Sequence, residues 1–143
     1  MNIQRKQRRA GFTLMEIMVV VVILGILAAT IIPQFVSSKQ EAMVNAAKAD
    51  IANLRVAIDR FYLNMDRYPT VEEGLKALAE PPSGEEKKWR GPYIQEVKAD
   101  PWGHAYQYRL PGTHGRNPYD IWSFGADGVE GGEKDASDIG NWQ

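Results

Sequence analysis

The sequence predicts an α+β protein, and three observations predict it. Phe12–Ile32 is an apolar run long enough for a continuous helix. Ile51, Leu54, Ile58, Phe61 and Met65 then recur at spacings of three, four, three and four, the period of one helix face. Two short alternating segments, Ala105–Leu110 and Tyr119–Phe124, follow near the C-terminus, joined by the loop Pro111–Pro118. A long helix ahead of short strands resolves into a small antiparallel sheet packed on the helix's apolar stripe.

Phe12–Ile32 reads FTLMEIMVVVVILGILAATII, and only Thr13, Glu16 and Thr30 in it are polar. At about 1.5 Å per residue it covers roughly 30 Å, the thickness of a bilayer's hydrocarbon core. Residues 1–11 carry four basic side chains (Arg5, Lys6, Arg8 and Arg9) and no acidic one. This flank is a topology signal that keeps the N-terminus cytoplasmic and sends the rest of the chain outward. The apolar core is too long for an ordinary secretory signal peptide, and no clear A-x-A site follows it. Removing the four basic residues leaves 13 basic against 18 acidic residues, a net −5. That balance argues against nucleic acid as a partner. The absence of cysteine excludes disulfides, thiolate metal sites and cysteine nucleophiles.

Glu16 is an ionisable residue inside the apolar run and needs a partner. A cut between Gly11 and Phe12 would create an α-amino group one helical turn away. Two readings stand side by side. Glu16 of one chain pairs with the Phe12 amine of a neighbouring chain, or Glu16 favours only its own helix terminus and amine.

Pro33 is expected to interrupt the helix, with Gly25 and Thr30 upstream to absorb an unwinding. The amphipathic stripe from Ile51 to Met65 continues beyond it and is read as core. Span and stripe together make a helix of about 50 residues. Asn64–Pro69 ends it. Thr70 and Glu73 form a capping box for a short helix Val71–Ala79, which stops at Pro81-Pro82. Residues 83–92 are loop, Tyr93–Val97 is a short extended piece, and Asp100–Gly103 is a turn that pins Trp102 into the core. The domain boundaries are 1–11, 12–36 and 37–143.

The C-terminal stretch 125–142 gathers Asp127, Glu130, Glu133, Asp135 and Asp138 among glycines, with only Lys134 to offset them. The residues alone favour a solvated acidic loop. A calcium ion, which takes six to eight oxygens in irregular geometry, is the alternative. No catalytic constellation is present. His104 and His114 lack metal-ligand spacing and are read as loop or surface residues, and no nucleophile elbow, dinucleotide fingerprint or P-loop occurs.

R-R-A-G-F-T-L-M-E-I-M-V-V-V-V-I-L-G-I-L resembles the signal sequence of type IV pilins and pseudopilins. The resemblance implies that a prepilin peptidase cuts after Gly11 and N-methylates Phe12, and that Glu16 is the assembly residue. It also implies that filaments melt the helix between Gly25 and Pro33. RYPT-x-EEGL-x-AL from Arg67 to Leu78, Gly91-Pro-Tyr, Asp100-Pro-Trp-Gly, Ser123–Gly128 and Asp138-Ile-Gly-Asn-Trp142 resemble the major pseudopilins, the G subunits, of bacterial type II secretion systems. This family implies a pilin-like fold and a helical homopolymer, the periplasmic pseudopilus, that drives export of folded proteins across the outer membrane. The chain would be anchored in the inner membrane with its globular part periplasmic. Minor pseudopilins and an inner-membrane assembly platform are the further partners. It also implies a calcium loop with Asp127 and Asp138 side chains and the Phe124 and Val129 carbonyls as ligands. Asp135 or Ser137 would supply a further one. A type IV pilus or competence pilin, and a monomeric membrane-tethered calcium-binding module, are the competing readings.

Overall fold

The computed structural model describes residues 11–133 and 137–143, and side chains outside 31–37. The chain divides into two compact units, residues 1–39 and 40–143. Helix α1, Leu14–Met65, contributes to both. A 3-10 helix, Gly74–Leu78, follows, and then three strands: β1 Gln107–Arg109, β2 Asp120–Ser123 and β3 Ile139–Gly140. They form one antiparallel sheet in the order β1-β2-β3, with Tyr108 opposite Ile121 and Ser123 opposite Ile139.

In the first unit α1 starts at a cap. The Glu16 N–H donates to the Thr13 hydroxyl (3.2 Å), and the Ile17 N–H donates to the Thr13 carbonyl. The large apolar side chains from Phe12 to Leu27 are all exposed. Among the described residues no helix is long and apolar enough to cross a membrane. The span expected over 12–36 includes side chains 31–36, which lie outside the described set. Pro33 does not interrupt the helix as expected: α1 is continuous from Leu14 to Met65. Proline removes one ladder bond and crowds the preceding turn, at a cost of about 3 kcal/mol, while the turns on either side keep their bonds. One turn upstream the Thr30 hydroxyl donates to the Leu27 carbonyl at 2.9 Å, adding a local contact where proline withdraws one.

In the second unit the stripe is core. Ile51, Leu54, Ile58, Phe61 and Met65 are buried with Leu78, Tyr106, Tyr119, Ile121 and Ile139. Asp66, with φ 57°, ends the helix in the left-handed region. The capping box forms: the Glu73 N–H donates to the Thr70 hydroxyl (3.2 Å) and the Thr70 N–H to Glu73 Oε2 (2.9 Å). The element it opens is shorter than Val71–Ala79. Gly74 sits at φ +56°, outside α-helical space, and a five-residue 3-10 turn results. Arg67 ties this turn down. Its guanidinium donates to Glu73 (2.8 Å) and Glu85 (2.6 Å) and lies over the Phe61 ring. Hydrogen bonds from Arg67 hold the Glu73 carboxyl below its usual range.

Tyr93–Val97 forms no strand, because the Tyr93 and Ile94 N–H groups donate to the Leu78 carbonyl. Trp102 is half-buried against the core, its indole N–H reaching Gln40. All four residues of β2 are buried, so the sheet is covered on both faces. The Tyr106 hydroxyl donates to Asp50 (3.0 Å) and the Tyr108 hydroxyl to the Pro69 carbonyl (2.9 Å), which fixes β1 against α1 and its exit.

Candidate functional site

The C-terminal loop leaves β2 at Phe124 and returns at β3. Two devices hold it. The first is Asp100, 4% exposed, in the turn ahead of β1. One of its carboxylate oxygens accepts from the Trp102 N–H (3.0 Å) and the His104 N–H (2.7 Å), as an Asx turn does. The other accepts from the Ser123 hydroxyl (2.5 Å), whose oxygen in turn accepts from the Gly125 N–H (2.9 Å). The His104 ring lies 3.2 Å from the Gly125 carbonyl through Nδ1. It also packs so tightly on Gly128 that a Cβ there would stand 2.8 Å from Nε2. Gly128 has φ +69°, so both space and conformation require glycine.

The second device is the far end of the loop. The Asp138 N–H donates to the Gly131 carbonyl (3.2 Å), and Asp138 Oδ2 accepts from the Gly131 N–H (3.0 Å). Among the described residues, Asp138 Oδ1 is buried with no hydrogen-bond partner. Asp127 is exposed, its Oδ1 accepting from the Val129 N–H (3.3 Å). Phe124 and Ser137 are half-buried and Val129 is exposed. Among the described residues no three acidic or histidine side chains group as a metal site, and Asp135 lies outside the described residues.

A second buried carboxylate, Asp120, closes the loop between β1 and β2. It accepts from the Thr113 N–H (2.7 Å), the Thr113 hydroxyl (3.1 Å) and the His114 ring (3.0 Å). The His114 ring stacks on Trp142 at 4.0 Å. Burial alone would push the Asp120 carboxyl up, but the donors from Thr113 and His114 together hold it below its ordinary value. A depressed folded value stabilises the fold above the unfolded value and loses that contribution as pH falls through the folded one. The melting temperature is therefore expected to fall on acidification below about pH 4, the ordinary aspartate range. Asp120→Asn should make that fall shallower; an equally steep fall would contradict the assignment.

His104 and His114 are thus loop residues with structural partners. The sequence signal for them was the Asp-Pro-Trp-Gly turn and the aspartate at the start of β2. Their partners Ser123 and Trp142 lie too far along the chain to be read with them. In the first unit, among the described residues, no side chain pairs with Glu16. Gly11 and Phe12 precede the helix and are exposed, and Gly25 lies inside it with nothing near its Cα face.

Two family profiles match the chain. The one described as "Type II secretion system (T2SS), protein G" matches residues 34–142, and "Prokaryotic N-terminal methylation motif" matches residues 6–32. The type II secretion system core protein G of Pseudomonas aeruginosa is 49% identical over 97% of this chain and 98% of its own length. That of Vibrio cholerae is 45% identical over 97% and 95%. The crystal structure of the major pseudopilin from the type 2 secretion system of enterohaemorrhagic Escherichia coli superposes with a TM-score of 0.63 at 36% identity. It covers 75% of this chain and 92% of that one. The pilin-like α+β architecture, the profile over 34–142 and these relatives agree: the chain belongs to the type II secretion system protein G family, as a structural major pseudopilin and not an enzyme.

Proposed function

We propose that the chain is made as a precursor, cut between Gly11 and Phe12 by a prepilin peptidase, N-methylated at Phe12, and polymerised into a periplasmic pseudopilus. Segment 12–36 anchors it in the inner membrane before assembly, with 37–143 periplasmic. Minor pseudopilins and an assembly platform are its partners, and the polymer drives export of folded proteins. One observation carries this reading: the methylation-motif match over 6–32 overlaps the start of α1, where the large apolar side chains from Phe12 to Leu27 are all exposed around the single acid Glu16. An apolar surface of that extent requires lipid or other copies to cover it. On assembly the stretch from Gly25 to Pro33 unwinds, where proline has already removed one ladder bond.

Processing is the direct test. Gly11→Leu in the full chain is expected to leave an unprocessed precursor that forms no crosslinked multimers in membranes. Normal trimming of that variant would overturn the placement of the cut.

Calcium belongs to the same proposal. Asp127 and Asp138 would hold it with the Phe124 and Val129 carbonyls and with Asp135 or Ser137. The support is the Asp138 Oδ1 atom, a buried carboxylate oxygen without a donor among the described residues, which a cation would complement. When bound, the ion supplies positive charge that offsets the loop's carboxylates. Calcium at a hundredfold excess over its dissociation constant is expected to add about 2.7 kcal/mol. The melting temperature of the full chain in detergent should fall when EGTA is added and recover with calcium but not magnesium. An unchanged melt would remove calcium from the reading.

A further inference from the structure

The Phe124 carbonyl, which the calcium reading makes a ligand, belongs to a peptide that the core holds. The other polar group of that peptide is the Gly125 N–H, which donates to the Ser123 hydroxyl oxygen at 2.9 Å. Ser123 is fully buried, and its own proton is committed to Asp100 at 2.5 Å. With that proton on Asp100, the oxygen presents its lone pairs to Gly125. The 124–125 peptide is trans. In a planar trans peptide the C=O and N–H point in opposite directions. Anchoring the Gly125 N–H on Ser123 therefore directs the Phe124 carbonyl away from Ser123 and Asp100. Among the described residues that carbonyl accepts no backbone hydrogen bond, which leaves its lone pairs for another partner. The next peptide is held as well. The Gly125 carbonyl lies 3.2 Å from His104 Nδ1. A carbonyl can only accept, so Nδ1 carries the proton of this bond. The His104 N–H donates to Asp100 at 2.7 Å, so the same carboxylate sets both residues. The His104 ring also packs on Gly128, where a Cβ would stand 2.8 Å from Nε2 and 2.9 Å from Cε1. Residues 125–128 form one turn with Asp127 inside it. One imidazole thus touches both ends of the turn that carries the Asp127 carboxylate.

We infer that Ser123 and His104 are positioning residues for the calcium loop: fastened to Asp100, they orient the Phe124 carbonyl and the Asp127 turn before an ion arrives. This inference rests on the calcium reading above and adds the residues that preorganise the site. Neither side chain is itself a ligand. Without them, the 124–128 segment would have to be ordered by the ion, and that conformational cost would be taken from the binding free energy. Groups that hold a metal's direct ligands in place typically account for about 10–100-fold in affinity.

Two measurements on the full chain in detergent separate positioning from stability. Calorimetric titration with calcium reads the affinity, and melting in EGTA reads the fold alone. Ser123→Ala is expected to raise the calcium dissociation constant about 10–100-fold. His104→Ala should raise it several-fold. His104→Asn, whose side-chain amide can donate to the Gly125 carbonyl, should bring it back toward the parent value. Tyr108→Phe removes a hydrogen bond to the Pro69 carbonyl, outside the loop, and should lower melting in EGTA without moving the dissociation constant. A Ser123→Ala chain that melts lower in EGTA yet binds calcium as the parent does would give Ser123 a structural role only and overturn the inference. An equal loss of affinity in Tyr108→Phe would trace the effect to stability and overturn it as well. Should Ser123→Ala not fold, the half-exposed His104 carries the test, and parent-like affinity in His104→Ala would overturn the inference. These outcomes leave the calcium reading standing. A parent chain that takes up no calcium would overturn the inference and that reading together.

Discussion

Replacing Asp100 with alanine is expected to lower the unfolding free energy of the 40–143 unit by about 3 kcal/mol or more. The carboxylate accepts from the Trp102 N–H, the His104 N–H and the Ser123 hydroxyl, and it is almost fully buried. Alanine leaves all three donors unpaired in a buried to half-buried site, and an orphaned buried donor costs about 1–3 kcal/mol. For a unit of this size each kcal/mol moves the melting temperature by about 4–8 °C, so the loss should exceed 10 °C. Asp100→Asn keeps the oxygen that serves Trp102 and His104 and fails only toward Ser123, whose hydroxyl proton loses its acceptor. It should fall between wild type and alanine. Differential scanning calorimetry separates the three, and an alanine variant within 2 °C of wild type would show that the hydrogen bonds of Asp100 do not hold the turn to β2.

Glu16→Ala is expected to abolish multimer formation while leaving the 40–143 unit as stable as before. Glu16 sits in the first turn of α1 among exposed apolar side chains, and no described side chain pairs with it. Its N–H is already satisfied by Thr13, so the carboxylate is not needed to start the helix. An unpaired carboxylate at the edge of an apolar layer carries a desolvation cost of about 2.5–3.5 kcal/mol at mid-membrane and less near the interface. In the polymer proposed above, a cationic chain end from a neighbouring copy would remove that cost. Amine-reactive crosslinking in membranes measures the effect. A ladder as intense as the parent's would refute the pairing, whereas Glu16→Gln retaining an intermediate yield would assign part of the effect to hydrogen bonding.

The core was legible because its signal is local. Five apolar residues at spacings of three and four lie on one face whatever else the chain does, and all five are buried. The end of α1 and the Thr70–Glu73 box were legible for the same reason. The strands were visible as alternation but too long by two or three residues, since only Gln107–Arg109 and Asp120–Ser123 have a partner across the sheet. β3 was not legible, because Ile139–Gly140 is too short to alternate and pairs with residues sixteen or more positions away. Pro33 was read as a helix break, but losing one bond does not end a helix that keeps its bonds on both sides. At the candidate site the acidic cluster was visible in the residues themselves, and the resemblance named Asp127 and Asp138 as ligands. The buried Asp100 and Asp120 that shape its surroundings were not, because their acceptor roles join segments far apart in the chain.

The brevity of β3 matters for how the molecule tolerates wear. Among the described residues, the two of β3 are the only strand residues paired with one margin of β2, and Asn141, through its N–H to the Ile121 carbonyl and its side chain bonded to the Ile121 N–H and the Tyr119 carbonyl, completes the seal. Trimming of the last six residues by a protease would lay bare a ribbon of unsatisfied amides flanked by Ile121 and Trp122. Such a margin recruits foreign strands, so a nicked molecule would be prone to clump rather than merely lose its tail.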